Sequence, residues 1–139
     1  ILGTSGDLKW RHNSYERLFC VNPSHPIAEG IPETIELGME ECYTEYFDIP
    51  KPDDVVFLGW FEIGNVLRSG CTWTRGYGKI FYFQPGHETN TSYFNKDCRR
   101  IIQNAVKWAC PHTYKTSFGA PKIELPLEEQ RTGKKFPED

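Results

Sequence analysis

Long apolar runs are missing from this sequence. Stretches such as Val55-Val56-Phe57-Leu58 are the most it offers, far short of the roughly 20 residues a membrane-crossing helix needs. No segment interleaves clustered Lys/Arg with aromatics, so nothing would neutralise a phosphate backbone and nucleic acid is not an expected partner. The five cysteines, Cys20, Cys42, Cys71, Cys98 and Cys110, form no C-x-x-C pair, which argues against a zinc knuckle or a redox dithiol. None sits in a G-x-C-x-G elbow, and neither G-x-G-x-x-G nor a P-loop is found. No basic stretch followed by an apolar one opens the chain, so a secretory signal is not expected. The odd number of widely spaced cysteines then fits reduced thiols in the cytoplasm, and the Asn90-Thr91-Ser92 sequon reads as accidental. Internal repeats are also absent.

What is present suffices for one folded domain. The chain has 139 residues, 38% hydrophobic and 25% charged, enough apolar content for a packed core. Aromatics reach 14%, a high share that serves either heavier core packing or a sugar-sized cleft. Net charge is −3, from 16 basic and 19 acidic residues. The acids crowd into Glu33, Glu36, Glu40, Glu41, Glu45, Asp48, Asp53 and Asp54, most of them read as a solvated face.

Periodicity places the elements. Leu18 and Cys20 alternate with Phe19 and Val21, predicting a strand over Tyr15 to Val21. Asn22-Pro23-Ser24-His25-Pro26 is a turn cluster. Thr34 to Leu37 suits a short strand, whereas Glu40 to Phe47 mixes aromatics with carboxylates and has no clear period. Val55 to Phe61 and Asn65 to Thr74 predict a hairpin with Gly64 in its turn. Lys79 to Phe83, after Gly76-Tyr77-Gly78, is the strongest strand pattern. A helix is predicted from Lys96 to Ala109, with Cys98, Ile101, Ile102, Ala105, Trp108 and Ala109 on one apolar face. Asn95 caps it, Asp97 complements its dipole and Pro111 ends it. Residues 1–110 thus form the domain, and the polar, Pro-rich segment 111–139 is expected to be an extended or mobile tail.

Gly86-His87-Glu88 is the sharpest chemical feature. Ligands in open α/β sheets collect where strands give out, so the expectation is an imidazole and a carboxylate at the mouth of a cleft beyond a central parallel strand. A His beside an acid can act as general base or acid, as an orienting pair, or as metal ligands; a loop His with ordinary hydrogen bonds is the plain alternative. His25 is either a second imidazole for the site or a turn-fixing residue. Glu41 and Tyr43 share one side of an extended segment and could offer a carboxylate and a phenol to a polyol, or be an exposed acid beside a core Tyr. Trp73 and Arg75 are either a stacking plate with a hydrogen-bonding cation or a core Trp and a surface Arg.

Five motifs fall in a recognisable order: Ser24-His25-Pro26-Ile27 with Gly30; Glu41-Cys42-Tyr43; Trp73-Thr74-Arg75 with Gly78-Lys79-Ile80-Phe81-Tyr82; Gly86-His87-Glu88; and Ala105-Val106-Lys107-Trp108-Ala109. Over about residues 8 to 110 this succession resembles the ThuA-like (trehalose utilisation) family. The resemblance implies an α/β fold, the flavodoxin-like three-layer sandwich of class I glutamine amidotransferases, with this chain supplying its C-terminal half. The other half would precede Ile1 or come from another chain, a homo-oligomer included. Phe83-Gln84-Pro85-Gly86-His87-Glu88 occupies the place of an F-H-P-E type motif, but here His and Glu are adjacent and no cysteine elbow is present. Glutamine hydrolysis is therefore not expected. The resemblance implies a small carbohydrate partner, a disaccharide or its 3-keto form. His87 and Glu88 would be the catalytic pair, and Glu41, Tyr43, Trp73, Arg75 and His25 the substrate contacts. A divalent metal held by His87 and a carboxylate is a variant of that site, and a catalytically silent sugar-binding or assembly module is the other reading.

Overall fold

In the computed structural model, residues 3–111 and Gly119 are described. They form five strands and one α-helix: β1 (Lys9–Cys20), β2 (Thr34–Thr44), β3 (Asp54–Phe61), β4 (Asn65–Arg75), β5 (Gly78–Phe83) and α1 (Lys96–Ala109). Short 3-10 turns lie at Pro26–Ala28 and Ser92–Phe94. The segment expected as a tail lies, apart from Pro111 and Gly119, outside the described residues. No described helix is long and apolar enough to cross a membrane.

The strands make one sheet in the order β2-β1-β3-β4-β5, and every pairing is antiparallel. This corrects one expectation. The strand leading to His87 is neither central nor parallel; β5 is an edge strand paired antiparallel to β4, with Arg75 opposite Gly78. Only Gly76 and Tyr77 separate those partners, too short a link for the crossover that parallel neighbours require. The predicted β3–β4 hairpin forms as expected, and Gly64, at φ 95°, turns the chain and donates its N–H to the Phe61 carbonyl.

Two register shifts mark the β1–β2 pair. In β2 the residues before Gly38 alternate with Ile35 and Leu37 buried; after it Glu40 and Cys42 are buried and Met39 is exposed. Gly38 takes φ 84°, and the β1–β2 register slips beside it, so the extra residue inverts which side chains face inward. A second slip in β1 falls between Arg11 and Ser14, where Asn13 adopts φ 56°, a left-handed conformation that asparagine tolerates. The sheet also curls until its edge approaches β4. Glu45 N–H donates to the Val66 carbonyl at 2.9 Å, and Arg68 grips the Glu45 carboxylate with Nε at 2.8 Å and Nη2 at 3.0 Å.

The main core lies between the sheet and a layer made by α1 and the turn at Pro26–Ala28, with Leu18, Ile27, Ile35, Val56, Phe57, Cys98 and Ile101 among its buried members. Each large apolar side chain buried there contributes about 1.5–3 kcal/mol. A second cluster, Cys42, Phe47, Phe61 and Leu67, fills the end where β2 and β3 meet the start of β4. One sheet and one helix make a mixed α and β arrangement of two layers among the described residues.

The cap on α1 is as predicted: Asn95 Oδ1 accepts from the N–H groups of Asp97 and Cys98 at 2.8 and 3.3 Å. Its buried face is rotated from expectation. Ile102 is exposed, and Asn104 is buried in its stead, because its amide finds partners there. Asn104 Nδ2 donates to the carbonyls of Ile27 (3.1 Å) and Glu29 (2.9 Å), tying the helix to the turn after β1. Removing that amide leaves a buried carbonyl unpaired, so Asn104→Ala is expected to lower stability by about 1–3 kcal/mol. Thermal unfolding would show it, and an unchanged Tm would contradict the tether.

Candidate functional site

The bulge in β2 that buries Glu40 turns Glu41 and Tyr43 to the opposite side of the strand. There they line a hollow of about 350 Å³ together with Gln84, Gly86, His87 and Glu88. The expected cleft residues Glu41, Tyr43, His87 and Glu88 therefore do meet, at the end of β5.

Backbone and buried polar groups fix the loop that carries His87. Gly86 sits at φ 121°, and a Cβ there would run into the Tyr93 ring. The fully buried Glu40 carboxylate accepts from Gly86 N–H at 3.4 Å, from Asn90 Nδ2 at 3.3 Å and from Ser92 Oγ, so one side chain of β2 holds three points of the loop. Gly86→Ala would impose both strain and overlap. It is expected to cost about 1–3 kcal/mol and to displace His87; an unaltered melting curve would show that the loop does not need glycine.

Hydrogen bonds hold Tyr43, His87 and Gln84 in the hollow. Tyr43 Oη donates to Glu41 Oε2 at 2.7 Å. That bond, then burial, then the charges of Glu41 and Glu88 push the Tyr43 phenol up to about 12, so it remains a donor. His87 Nδ1 lies 2.8 Å from Thr89 Oγ1, leaving Nε2 3.6 Å from Glu88 Oε2. Gln84 Nε2 donates to the Glu41 carbonyl at 3.0 Å, bridging the two sides of the hollow. Glu88 is 85% exposed and His87 only 23%, so the imidazole is the more sheltered of the pair.

A second, more apolar hollow of about 420 Å³ adjoins the first and shares Glu41 and Tyr43 with it. Gly6, Leu8, Trp10, Phe47 and Tyr82 complete its wall. Trp10 is exposed and meets the His12 ring edge-on, with centroids 4.9 Å apart.

Three expected contacts lie elsewhere. Trp73 is fully buried, and its indole N–H points at the carbonyls of Pro50 (3.3 Å) and Lys51 (3.2 Å), so no sugar can stack on it. Arg75 is exposed at the β4–β5 turn with Nη1 on the Thr74 carbonyl. That is the other end of β5 from His87, about 20 Å away by strand rise. His25 is nearly buried: Nδ1 accepts from Ile27 N–H at 3.1 Å, and the ring tilts against Trp108. Burial lowers its pKa, Asp54 raises it and Lys79 lowers it further; it is a turn-fixing residue. No described cysteine lines either hollow. Burial pushes the Cys71 thiol up to about 11 and Cys98 up to about 12, which suits small core residues.

Sequence reasoning misses His12, Gln84 and Trp10. His12 Nδ1 lies 3.7 Å from Glu41 Oε1, and its ring centroid is 6.3 Å from that of His87. The bulge at His12-Asn13 aims it there, and the only clue in the sequence is an Asn able to take positive φ. His12, Glu41 and His87 each offer a ligand atom, all within 4.8 Å of one another.

No curated protein matches the chain. A family model described as ThuA, trehalose utilisation, matches residues 1–109. That span takes in all five strands, α1 and both hollows, and so the chain belongs to the ThuA, trehalose utilisation, family.

Proposed function

We propose that the two adjoining hollows form a carbohydrate site, acting on a disaccharide or its 3-keto form in trehalose utilisation. The observation that carries this reading is their junction: an ionisable hollow and an aromatic one meet at Glu41 and Tyr43. A sugar ring has the same split character, with apolar C–H faces and polar hydroxyls. Trp10, Tyr43 and Tyr82 would receive a ring face, while Glu41, Gln84 and the Tyr43 hydroxyl would bond its hydroxyls. His87 and Glu88 would handle the proton moved at a carbon beside a carbonyl or at a glycosidic oxygen. Family membership supports the substrate class; the sheltered His87 beside an open Glu88 supports the pairing of roles.

The same reading takes residues 1–110 as the functional unit. They would contribute to a flavodoxin-like, amidotransferase-like sandwich in the cytoplasm, completed by an N-terminal half or by a second copy. The edge strands β2 and β5 are where added structure would join.

The test is to incubate the chain with trehalose and with 3-keto-trehalose, following products by mass spectrometry and binding by calorimetry. Product from the keto-sugar supports the enzyme. Saturable binding without product assigns a sugar-binding module. Neither binding nor product would end the carbohydrate reading.

A further inference from the structure

We infer that His12, Glu41 and His87 hold a divalent transition-metal ion, zinc being the best chemical fit. Three segments remote in sequence deliver these ligands: the bulge of β1, the shifted half of β2 and the Gly86 turn after β5. Their candidate ligand atoms already lie within 4.8 Å of one another. Around a tetrahedral zinc, with bonds of about 2.0–2.2 Å, ligands stand roughly 3.4 Å apart, so the set must close by up to about 1.4 Å. His12 supplies that movement. Its side chain is 64% exposed, and a rotamer change meets no core packing.

The orientation of each ligand argues for a metal more strongly than proximity does. Glu41 has Oε2 occupied by the Tyr43 hydroxyl at 2.7 Å and turns Oε1 toward His12 Nδ1. His87 has Nδ1 held by Thr89, whose N–H donates to it at 3.2 Å and whose Oγ1 lies 2.8 Å away, so Nε2 is the ring nitrogen on the Glu88 side. The non-coordinating atom of each is anchored, the outer arrangement that fixes the orientation of metal ligands. Two imidazoles and one carboxylate are a set suited to zinc, leaving a fourth position open for a substrate oxygen or water. Glu88, 3.6 Å from His87 Nε2, adds a second negative charge beside the ion.

This inference deepens the carbohydrate reading and rests on it for what the open position would take: a sugar carbonyl or hydroxyl, which the metal polarises. With His87 Nε2 given to the metal, proton handling falls to Glu88. Binding of the ion itself does not depend on any sugar, and that separates the two claims.

The test is calorimetric titration of the full chain with Zn²⁺ in the absence of sugar. A Cys110→Ser background removes the exposed thiol as a rival ligand. Co²⁺ absorption serves as a second readout, since tetrahedral N/O coordination gives strong visible bands. One ion per chain is expected, with affinity lowered at least tenfold by His12→Ala and by Glu41→Gln. Tyr43→Phe, which keeps the ring and frees Glu41 Oε2, should weaken binding by about 10-fold. His12 is on the surface, so its variant is expected to fold, and circular dichroism checks that it does. No Zn²⁺ bound by the parent chain, or binding indifferent to His12→Ala, overturns the metal site. Sugar binding without Zn²⁺ binding removes the metal and keeps the carbohydrate reading; Zn²⁺ bound without sugar does the reverse.

Discussion

Turnover of a 3-keto-disaccharide by the His87→Ala variant is expected to fall by about 100- to 10,000-fold, the range for loss of a positioned proton-transfer group. KM should change far less, because the hydroxyl contacts assigned to Glu41, Gln84 and Tyr43 and the aromatic wall at Trp10 and Tyr82 are untouched. His87 is the partly sheltered imidazole in the hollow, held through Nδ1 by Thr89 and set by a loop that Glu40 pins at three points. A metal on Nε2 predicts the same loss by another route, with Zn²⁺ affinity falling in parallel. Steady-state kinetics decide it: a variant that keeps most of its turnover removes His87 from the chemistry.

The second large effect concerns Glu16. It lies on β1 in the same inward-facing row as Ser14 and Leu18, and it is fully buried. Neither carboxylate oxygen has a hydrogen-bond partner among the described residues. Burial first, and then the charge of Glu40, hold its pKa well above the ordinary carboxylate range, with neighbouring Ser69 pulling the other way. The folded state therefore binds this proton more tightly than the unfolded chain does. Its contribution to stability is complete below the unfolded pKa of about 4.3 and declines, as pH rises toward the folded value, by about 1.4 kcal/mol per pH unit. Glu16→Gln cannot ionise and escapes that decline. The variant should unfold at higher urea than the parent at pH 7, with the difference shrinking as pH falls toward about 4. Parallel stability profiles across that range would mean that Glu16 carries no such proton.

Much of this fold is legible in the sequence, and bulges account for most of what is not. The β3–β4 hairpin, β5 and α1 follow from local pattern, because glycine turns and an Asn cap act within a few residues. β2 is readable only in its first half, since Gly38 inserts a bulge that inverts the alternation and gives Glu40 to Phe47 no simple period. The same device hides His12, whose direction depends on the β1 bulge and on the curl that brings β2 to β5. Gly86-His87-Glu88 is visible as a motif, and its neighbours Glu41 and Tyr43 as an alternating pair. Trp73 and Arg75 look equally suitable in one dimension, yet burial claims the first and the distant β4–β5 turn the second. The direction of β5 is misread for a different reason: an aromatic, β-branched strand looks alike in parallel and antiparallel sheets.

Whether a sugar seats where the two hollows join is most directly measured by titrating the isotopically labelled chain with trehalose or its 3-keto form and following backbone amides and Trp indoles by NMR. Shifts confined to Glu41–Tyr43, Gln84–Thr89 and the Trp10 indole are the expected result. Shifts centred instead on Arg75 or His25, or no shift at saturating sugar, would contradict it.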